Sequence, residues 1–565
     1  MTWSHGNEQP PLCTNYRAGI MRATKTNSFP QQLALRVCML LFFCSAGVGS
    51  MCSSHMNASN IIHVTLTDLQ GDGLMVYNRL REIHASALTL GSDTRVVYPL
   101  EATVNIEIPP GATTIPLTSN TDFNGCSFVV KNTSTDRFFL FSLDRRSDLQ
   151  DNETVNFTTL ASAERKVNIN GNVIDSGDFS SVPALSQGHK LLYVYDPNVW
   201  SIGGVSGTLE VYRRDVIHIV DGQAQNKPIR PYAEASNLMC FWDEVPSEES
   251  PTFENLTFIR TSSSTQQTHL LKACGQVGLQ VRNLCIFTPR EDTIPDERPR
   301  YLNDQCIYIR HSVNTLFENI CVNGTYSRSN QHGYAFRMIN LANTTMRNVQ
   351  GDGAWGVQCG FFLNTVTLDG CTLNRFDCHC YCADFTYRNC TFKTDMTHYS
   401  SESCSCQVAC AYGYMHFAHC RFVDARPMIV SPMYSGGHSG FELSYHDCVF
   451  DVLPKYCYLV EGLTFDDTED SRALPNLYMR DCTIDASRGT DSGRYFLYHF
   501  NNQKNEGLYQ DTVQYLNTVS LENVKVITGT QQAPVWLCNK KLNYHQHLMK
   551  RVLNCPFDSI NYPSK

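Results

Sequence analysis

The sequence lacks several features that would identify common classes of protein. It has no excess of basic residues, because its net charge is −9 and its pI is near 6.0, so nothing predicts a nucleic-acid partner. It has no phosphate-binding glycine loop and no Ser/His/Asp signature, and we predict no cofactor. Dipeptides typical of β-hairpins are scarce, which disfavours an antiparallel sandwich, the alternative fold. Repetition and cysteine content are therefore the informative signals.

A six-residue phrase, which we call the bend motif, recurs along the chain as apolar, polar, Asn/Asp/Gly, apolar, polar, apolar. Its third position suits a tight bend, because Asn, Asp and Gly tolerate the left-handed backbone region. The triplet that follows has the period of a short strand with one buried face. Four copies begin 28–30 residues after the one before, a spacing typical of solenoids, with outliers of 19 and 42 residues. The copies begin at Phe123, Phe253, Val281, Phe317, Met346, Leu368, Tyr387, Phe417, Tyr445, Met479 and Leu521.

The repeats predict an all-β fold, a parallel β-helix in which each coil buries its face against its neighbours. Apolar residues between Val76 and Leu90 recur at spacings of four and three and predict one amphipathic helix that caps the open N-terminal end. We predict an N-terminal cap and first coils over 51–130, the β-helix over 236–530 and a C-terminal cap over 531–565. Residues 131–235 are either an antiparallel β-rich insertion or additional early coils.

The N-terminal residues 1–50 have the pattern of a signal peptide. Basic residues precede the apolar run Val37 to Val48, and small residues allow cleavage just after Ser50. The run is short for a membrane span, although an uncleaved N-terminal anchor is the alternative. No later segment is apolar enough to span a bilayer. Export is compatible with glycosylation at eight sequons, at Asn57, Asn132, Asn152, Asn156, Asn255, Asn323, Asn343 and Asn389.

The chain contains 25 cysteines, which also indicates an oxidising compartment. Five of them occupy a bend-motif position that holds Leu, Ile or Val in other copies, so we predict a buried stack at Cys371, Cys390, Cys420, Cys448 and Cys482. Other cysteines are predicted to form disulfides. For the dense group from Cys378 to Cys410 zinc is the alternative, but C-x-C-x-C lacks the spacer of structural zinc sites, and we predict no metal. The disulfide candidates are Cys378, Cys380, Cys382, Cys404, Cys406, Cys410, Cys538 and Cys555.

Three segments resemble pectin-lyase-like right-handed parallel β-helix proteins, and among them tailspike-like phage and prophage proteins and their gut-bacterial relatives. They begin at Ile115, Gly351 and Leu373, the last two carrying Gly-Asp-Gly-Ala-Trp-Gly and Arg-Phe-Asp-Cys-His. The resemblance implies a right-handed, three-faced solenoid and a link to polysaccharides. It implies no single activity, because that superfamily includes lyases, hydrolases, epimerases and adhesins. By analogy it suggests a homotrimer.

The same segments contain the candidate site predicted from the sequence. Two carboxylates on neighbouring coils could act as acid and base, or as nucleophile, on a glycosidic bond. Arg375 could orient a uronate carboxylate and Trp355 could stack on a sugar. In the alternative, Arg375 and Asp377 pair with each other and His379 caps a bend. The predicted catalytic residues are Asp352, Asp369, Asp377 and His379, and the predicted substrate-binding residues are Trp355 and Arg375.

The sequence thus predicts an exported surface glycoprotein, secreted or displayed on a virion or cell, whose β-helix binds polysaccharide or a cell-surface glycan. It does not decide whether the protein also cleaves that polysaccharide. The alternative is a structural or adhesive glycoprotein without catalytic activity.

Overall fold

The structure is a computed structural model of the chain, and the part it describes belongs to one compact unit, Ser59–Lys565. The signal-peptide prediction lies outside the described residues. No helix within that described part is long and apolar enough to cross a membrane. The described residues are 60–91, 94–117, 120–133, 138–144, 165–203, 209–233, 235–245, 250–261, 268–287, 306–325, 334–353, 356–393, 406–408, 411–424, 426–430, 440–451, 458–463, 472–485, 487, 495–501, 513–515, 518–527, 535–538 and 549–555.

A 32-stranded parallel sheet winds through successive coils, and each coil contributes to three strand columns. In each coil, the strand of the first column precedes along the chain the strand that carries the start of the bend motif. Long strands β17 and β19 continue from it into the second column. The strands of the first column are β4 (Ile115–Pro116), β6 (Phe138–Asp144), β13 (Thr268–Cys274), β15 (Ile307–Val313), β17 (Tyr334–Arg347), β19 (Gly356–Asp369), β21 (Phe376–Cys380), β24 (Cys406–Val408), β27 (Met428–Val430), β30 (Tyr458–Leu463), β34 (Tyr495–Asn501) and β38 (Val535–Cys538).

The second column carries the residues before each bend. Long strands run through the bend into the third column, namely β5 (Asn120–Asn132), β12 (Thr252–Arg260), β14 (Gln280–Phe287) and β16 (Leu316–Thr325). The other strands of the second column are β1 (Ile61–His63), β2 (Arg95–Val97), β22 (Cys382–Arg388), β25 (Ala411–Ala418), β28 (Gly440–His446), β32 (Asn476–Arg480), β36 (Thr518–Glu522) and β39 (Met549–Leu553).

The third column carries the residues after each bend. Two short strands beside the coils, β31 (Arg472–Leu474) and β35 (Val513–Tyr515), form a separate parallel pair. The remaining strands of the third column are β3 (Thr103–Ile108), β18 (Gln350–Gly353), β20 (Thr372–Leu373), β23 (Thr391–Lys393), β26 (Arg421–Val423), β29 (Val449–Asp451), β33 (Thr483–Asp485) and β37 (Lys525–Ile527). Every pairing within the three columns is parallel, as the β-helix prediction requires.

The bend between the second and third columns confirms the interpretation of the bend motif. Its residues adopt the left-handed conformation with φ between 51° and 66° in every described copy. Side-chain amides link successive bends, since Nδ2 of Asn283 donates to Oδ1 of Asn255 at 2.9 Å and Nδ2 of Asn319 donates to Oδ1 of Asn283 at 3.1 Å. The bend residues are Asn124, Asn255, Asn283, Asn319, Asn348, Gly370, Asn389, His419, Asp447, Asp481 and Asn523.

The interior confirms the predicted cysteine stack. All five sulfur-bearing side chains are buried, with exposed fractions between 0% and 2%. Their thiols donate to backbone carbonyls, as from Cys420 Sγ to the Tyr387 oxygen at 3.5 Å. Aromatic rings stack beside them, with 4.3 Å between the ring centroids of Tyr387 and Phe417 and 5.0 Å between those of Phe417 and Tyr445. Each coil therefore repeats the side chains of its neighbour along a continuous core.

A short 3-10 helix, Thr67–Leu69, precedes helix α1 (Gly73–Leu90), and α1 closes the N-terminal end as predicted. Asp72 caps α1, because its side chain accepts a hydrogen bond from the Met75 amide at 2.8 Å. The helix starts where it touches β3, and a Cβ on Gly73 would lie 2.6 Å from the Glu107 nitrogen. Its buried residues differ in part from the predicted stripe, since Leu90 is 53% exposed. They are Val76, Tyr77, Leu80, His84 and Ala87.

The insertion forms its own antiparallel sheet between β6 and β12. Helix α2 (Gly171–Ser176) packs against it, and the strand order is β10-β9-β8-β11-β7. Strand β6 lies before this sheet and belongs to the solenoid, while β11 extends the insertion beyond residue 235. A shared apolar core joins the insertion to the first column, with Tyr193 and Tyr195 packed near Val313 and Ala342. The strands are β7 (Lys166–Val167), β8 (His189–Gly203), β9 (Leu209–Val220), β10 (Gln223–Ala224) and β11 (Met239–Glu244).

Candidate functional site

Two of the residues predicted for the site form a buried ion pair. Nε of Arg375 lies 2.7 Å and 2.6 Å from the two carboxylate oxygens of Asp377. Arg375 is 2% exposed and Asp377 is fully buried. This is the arrangement that the sequence analysis left open as the alternative to substrate binding. In the described arrangement neither group is presented to a ligand in solvent.

Asp369 lies on a different column from Asp377. It ends β19 on the second column, opposite Arg347 on one neighbouring coil and Arg388 on the other. Its Oδ1 accepts a hydrogen bond from Nδ2 of Asn389 at 3.0 Å. Asp369 is thus part of a ladder of charges and amides along the bends, and its carboxylate does not meet that of Asp377.

The other predicted site residues are described only in part. The backbone of Asp352 lies in β18 on the third column, and that of His379 lies in β21 on the first column. Their side chains lie outside the described part of the chain, as does the whole of Trp355. The backbones alone place these residues on separate columns.

The sequons occupy varied positions. Asn132 is 2% exposed, so its amide is inaccessible in the folded chain. The Nδ2 atoms of Asn255, Asn343 and Asn389 donate to neighbouring bends, at distances between 2.8 Å and 3.1 Å. Asn57, Asn152 and Asn156, together with the side chain of Asn323, lie outside the described residues.

The sulfur atoms of two of the disulfide candidates, Cys378 and Cys382, lie close together. Two further candidates lie elsewhere in the described part: Cys406 is buried and Cys555 is half-buried. Cys406 points into the core, where its sulfur lies 3.6 Å from the Tyr387 hydroxyl. The remaining candidates, Cys404 and Cys410 and the side chains of Cys380 and Cys538, lie outside the described part. Within that part no group of three His, Cys, Asp or Glu side chains could hold a metal ion.

The structure gathers a different set of side chains on the outer surface of the second column. We call it the tyrosine face, and it consists of Asp384, Tyr412, Tyr414, His416 and Glu442. In β25 alternate residues point inward and outward, so Met415 and Phe417 are buried while the tyrosines and His416 are half-buried. The rings of Tyr414 and His416 stack with centroids 4.3 Å apart. Aromatic rings exposed in this way offer apolar surface to a ligand.

A β-bulge positions Asp384 against the tyrosines. Asp384 lies opposite both Gly413 and Tyr414, because the register between β22 and β25 shifts there. Its Oδ1 accepts a hydrogen bond from the Tyr414 amide at 3.3 Å. Gly413 has φ of 64°, and a Cβ at that position would lie 2.0 Å from the same oxygen. Only glycine therefore allows the carboxylate to lie over this strand.

His416 lies between two carboxylates. Burial lowers the pKa of His416, while the charges of Glu442 and Asp384 act in the opposite direction. Burial also raises the pKa of Asp384, although the Tyr414 amide and His416 partly offset it. Nδ1 of His416 is hydrogen-bonded to the Ser444 hydroxyl, which fixes the ring orientation. The face thus combines two carboxylates of different environment with one imidazole.

The insertion contributes positive charge at the edge of the tyrosine face. The guanidinium carbon of Arg230 lies 5.5 Å from the Tyr412 ring centroid, and Nη1 of Arg230 donates to the Tyr412 hydroxyl at 3.3 Å. The backbone oxygen of Lys227 accepts a hydrogen bond from Nδ2 of Asn364 at 2.5 Å. Both basic side chains are exposed, and within the described ranges no carboxylate pairs with either.

Buried charges hold this arm of the insertion, residues 226–232, in place. Asp215 accepts hydrogen bonds from the Tyr232 hydroxyl at 2.7 Å and from the Ile229 amide at 2.9 Å. Burial raises the pKa of Asp215 to about 6, despite the opposing charge of Arg213. The Arg213 guanidinium lies 3.6 Å from the Tyr232 ring centroid and donates to the Pro231 oxygen. The arm is therefore anchored before any ligand arrives.

Sequence reasoning missed the tyrosine face. The available signal was Ala411-Tyr-Gly-Tyr-Met-His, in which polar aromatic residues alternate within a strand. That alternation shows which residues share a face but not that Asp384 and Arg230 approach the same face. Arg230 comes from the insertion, far away in sequence, so no local pattern could place it.

Comparisons with known proteins bear on the fold. No protein-family model matches the chain, and no curated protein sequence is similar to it. The tailspike protein gp49 from Pseudomonas phage LKA1 superimposes with a TM-score of 0.50 at 12% identity, over 83% of this chain and 77% of that chain. The gp54 tailspike of Acinetobacter baumannii bacteriophage AP22, solved in complex with a capsular saccharide, matches with a TM-score of 0.48 at 9% identity, over 86% of this chain and 77% of that chain.

An endo-xylogalacturonan hydrolase from Aspergillus tubingensis matches with a TM-score of 0.34 at 10% identity, over 89% of this chain and 100% of that chain. Identities this low carry information on architecture and none on activity. Together with the parallel columns and their bends, the superposition on the Pseudomonas phage tailspike shows that this chain has the right-handed parallel β-helix fold.

Proposed function

We propose that the tyrosine face binds an acidic polysaccharide. The observation that carries the proposal is the meeting of half-buried tyrosine rings with the exposed guanidinium of Arg230 on one surface. Sugar rings present apolar faces that stack on tyrosine, and their carboxylates pair with a guanidinium. Asp384, His416 and Ser444 supply hydrogen-bonding groups for hydroxyls between these contacts. The tailspike neighbour solved with a capsular saccharide accords with this proposal.

The arrangement suits an extended ligand. Successive coils lie about 4.8 Å apart, so Asp384, Tyr414 and Glu442 occupy three neighbouring levels of the same column. A chain molecule lying along the column would meet a new set of side chains at each level. The arm of the insertion lies at one edge and orients the ligand through its charge.

Binding is tested with Tyr414→Ala and Tyr412→Ala against a panel of acidic polysaccharides. We expect each variant to bind at least about tenfold more weakly than the unchanged chain, the size of effect seen for an aromatic anchor. Phe287→Ala is the matched control, because Phe287 is a half-buried aromatic on the outside of the third column. Equal losses in all three variants would show that the tyrosine face is not the binding site.

Cleavage of the bound polysaccharide is a second candidate function. Asp384 favours it, because burial raises the pKa of that carboxyl as a general acid requires, and Glu442 is exposed on the far side of His416. The test is the appearance of new reducing ends or unsaturated products with the unchanged chain, and their absence with Asp384→Asn and Glu442→Gln. If no product appears at all, the non-catalytic adhesive alternative applies.

The residues predicted from the sequence remain a separate proposal for catalysis. Asp352→Ala and Asp377→Ala are measured in the same assay, with folding followed by circular dichroism. Because Asp377 is buried with Arg375, its loss removes the ion pair between them from the interior, and we expect lower stability as its main effect. Loss of product in an Asp352→Ala chain that still folds would instead indicate that the catalytic centre lies on the third column, with Asp352.

Export, glycosylation and assembly into a homotrimer complete the proposal. The close approach of the Cys378 and Cys382 sulfur atoms supports an oxidising compartment, and the tailspike-like fold supports display on a surface. Glycosidase treatment of the protein made in a eukaryotic secretory host should increase its gel mobility. Light scattering at several concentrations should give three times the mass of one chain. A chain that is monomeric and insensitive to glycosidase would contradict these points without affecting the binding proposal.

A further inference from the structure

Two cysteines face outward on adjacent coils. Cys285 in β14 lies directly opposite Cys321 in β16 on the third column. Both are half-buried, unlike the five cysteines of the inner stack, which are at most 2% exposed. The residues next to this pair in the same column are Thr257 and Gln350, so no further cysteine continues the pair along the column. Neither belongs to the tyrosine face.

The two cysteines occupy directly opposed positions on neighbouring strands. A hydrogen bond with Cys321 and burial both raise the pKa of the Cys285 thiol. Opposed residues on adjacent coils have Cα atoms about 4.8 Å apart, within the range of about 4.4–6.8 Å that disulfides allow. The backbone therefore needs no large movement for the sulfurs to join.

We propose that Cys285 and Cys321 are a redox site that forms a disulfide between coils. The oxidant is a small-molecule disulfide such as oxidised glutathione. The thiolate of one cysteine attacks a sulfur of that disulfide and forms a mixed disulfide, releasing one small thiolate. The second cysteine then attacks the protein sulfur and releases the other small thiol. Two protein thiols are oxidised, one external disulfide is reduced to two thiols, and two thiol protons leave the protein.

The bond would join two coils that lie about 36 residues apart in sequence and would close that segment of chain in the unfolded state. Both strands lead from the pair into longer connections, since β14 ends at Phe287 and β16 ends at Thr325. The disulfide would thus hold the third column together where the chain leaves it. A reducing environment would release this constraint without breaking the parallel pairing.

The test uses the full chain purified under reducing conditions and then incubated with increasing ratios of oxidised to reduced glutathione. Remaining thiols are alkylated and peptides are identified by mass spectrometry. We expect a peptide linked through Cys285 and Cys321, with loss of two hydrogen atoms. Cys390 and Cys420 provide a matched control within the chain, because they also stack on adjacent coils but are buried. They should stay reduced under the same conditions.

The variants Cys285→Ser and Cys321→Ser give an independent check. The unchanged chain should unfold at a higher temperature once oxidised, because the bond closes a loop in the unfolded state. In each variant we expect the other cysteine to end as a mixed disulfide with glutathione and the unfolding temperature not to rise. The proposal is overturned if both cysteines remain alkylatable at every ratio, or if both end as separate mixed disulfides in the unchanged chain. Linkage of Cys390 to Cys420 before Cys285 to Cys321 would also overturn it, because reactivity would then not follow exposure.

Discussion

At the scale of single residues, the left-handed bend between the second and third columns places the strictest demand on side-chain identity. Asn283 has φ of 52°, donates from Nδ2 to Asn255 and accepts from Asn319. An asparagine there satisfies the backbone and links three coils at once. In other copies this position holds Gly, Asp or His. The left-handed backbone conformation is therefore the common requirement, and hydrogen bonds between side-chain amides strengthen the bend only where asparagine is present.

Asn283→Ala and Asn283→Gly separate these two contributions. Both remove two side-chain hydrogen bonds, each worth about 1 kcal/mol. Alanine must also hold the left-handed conformation, at a cost of roughly 1–2 kcal/mol that glycine avoids. We expect the alanine variant to be less stable than the glycine variant by about 1 kcal/mol in chemical denaturation. Equal stabilities of the two variants would mean that the side-chain hydrogen bonds, and not the left-handed backbone, account for the asparagine at this position.

Gly413 makes a second prediction at this scale, because its missing side chain leaves room for the Asp384 carboxylate. Gly413→Ala adds a Cβ that would lie 2.0 Å from Oδ1 of Asp384 and forces the carboxyl to move. We expect weaker polysaccharide binding together with a loss of more than the roughly 1–2 kcal/mol that the left-handed backbone alone would cost. The measurement is a binding curve combined with denaturation.

Gly111→Ala is the matched control for Gly413. Gly111 has φ of 71°, but a Cβ there meets nothing within 4 Å, so the variant carries only the backbone cost. It should lose only the backbone part of that stability, roughly 1–2 kcal/mol, and keep full affinity. A loss of affinity in both variants would assign the effect to general destabilisation, and the proposed role of Asp384 would fail.

At the scale of elements, helix α1 carries a buried histidine that responds to pH. His84 is fully buried, and its Nε2 lies 2.8 Å from the Tyr98 hydroxyl. Burial lowers the pKa of His84 from 6.5 to about 3. Above pH 6.5 both folded and unfolded chains carry the neutral ring. As the pH falls from 6.5 towards 3, only the unfolded chain takes up a proton, so the cap loses stability on the order of 4 kcal/mol.

His84→Gln should remove most of this acid sensitivity, because the amide can keep the bond to Tyr98 and does not titrate. The measurement is hydrogen exchange of the α1 amides between pH 7 and pH 4, corrected for intrinsic rates. Hydrogen exchange is suitable because α1 can unfold locally while the remaining coils stay folded. His63→Gln serves as the control, because His63 is exposed on β1. If opening of α1 shows the same pH dependence with and without His84, its neutral state is not what holds the cap.

The elements that the sequence predicted are those whose signals are local. Asn, Asp and Gly at the third position of the bend motif mark the bend because a left-handed residue is rare for other side chains. Cysteine in a position shared with Leu, Ile and Val marks the interior. Helix α1 follows from its apolar spacing. Each of these depends only on neighbouring residues and a fixed repeat.

The parts that the sequence did not predict depend on long-range placement. The bulge at Asp384 arises from one residue facing two, which no local pattern reveals. Arg375 and Asp377 are two residues apart, and only the structure shows that both are buried. The arm with Lys227 and Arg230 reaches the tyrosine face because the insertion packs on the solenoid, and composition cannot show that contact.

At the scale of the described molecule, the insertion and the solenoid are held together by a core that neither could bury alone. Arg214 is 2% exposed, and its guanidinium carbon lies 4.6 Å from the ring centroid of Phe362 and 5.8 Å from that of Tyr195. Phe362 in turn stacks on Tyr381, with centroids 5.6 Å apart. This stack of cation and rings passes from the insertion into the first column. Docking of the insertion therefore governs where its arm lies.

Ala342→Asp tests that dependence. Ala342 is 2% exposed in the shared core, and a carboxylate there would be buried without a partner, at a cost of several kcal/mol. Because the insertion has its own antiparallel sheet and a separate apolar core, we expect it to detach and not to unfold. Calorimetry should then show two separate unfolding transitions for the variant and a single one for the unchanged chain. Affinity for acidic polysaccharide should fall, since Arg230 leaves Tyr412.

Thr372→Asp is the matched control, because Thr372 is exposed on β20 of the third column. It adds the same charge to the solenoid without touching the insertion and should leave both readings unchanged. If Ala342→Asp separates the transitions but keeps full affinity, the tyrosine face binds without the arm, and the basic residues have no part in recognition. If it changes neither reading, the shared core does not hold the insertion in place.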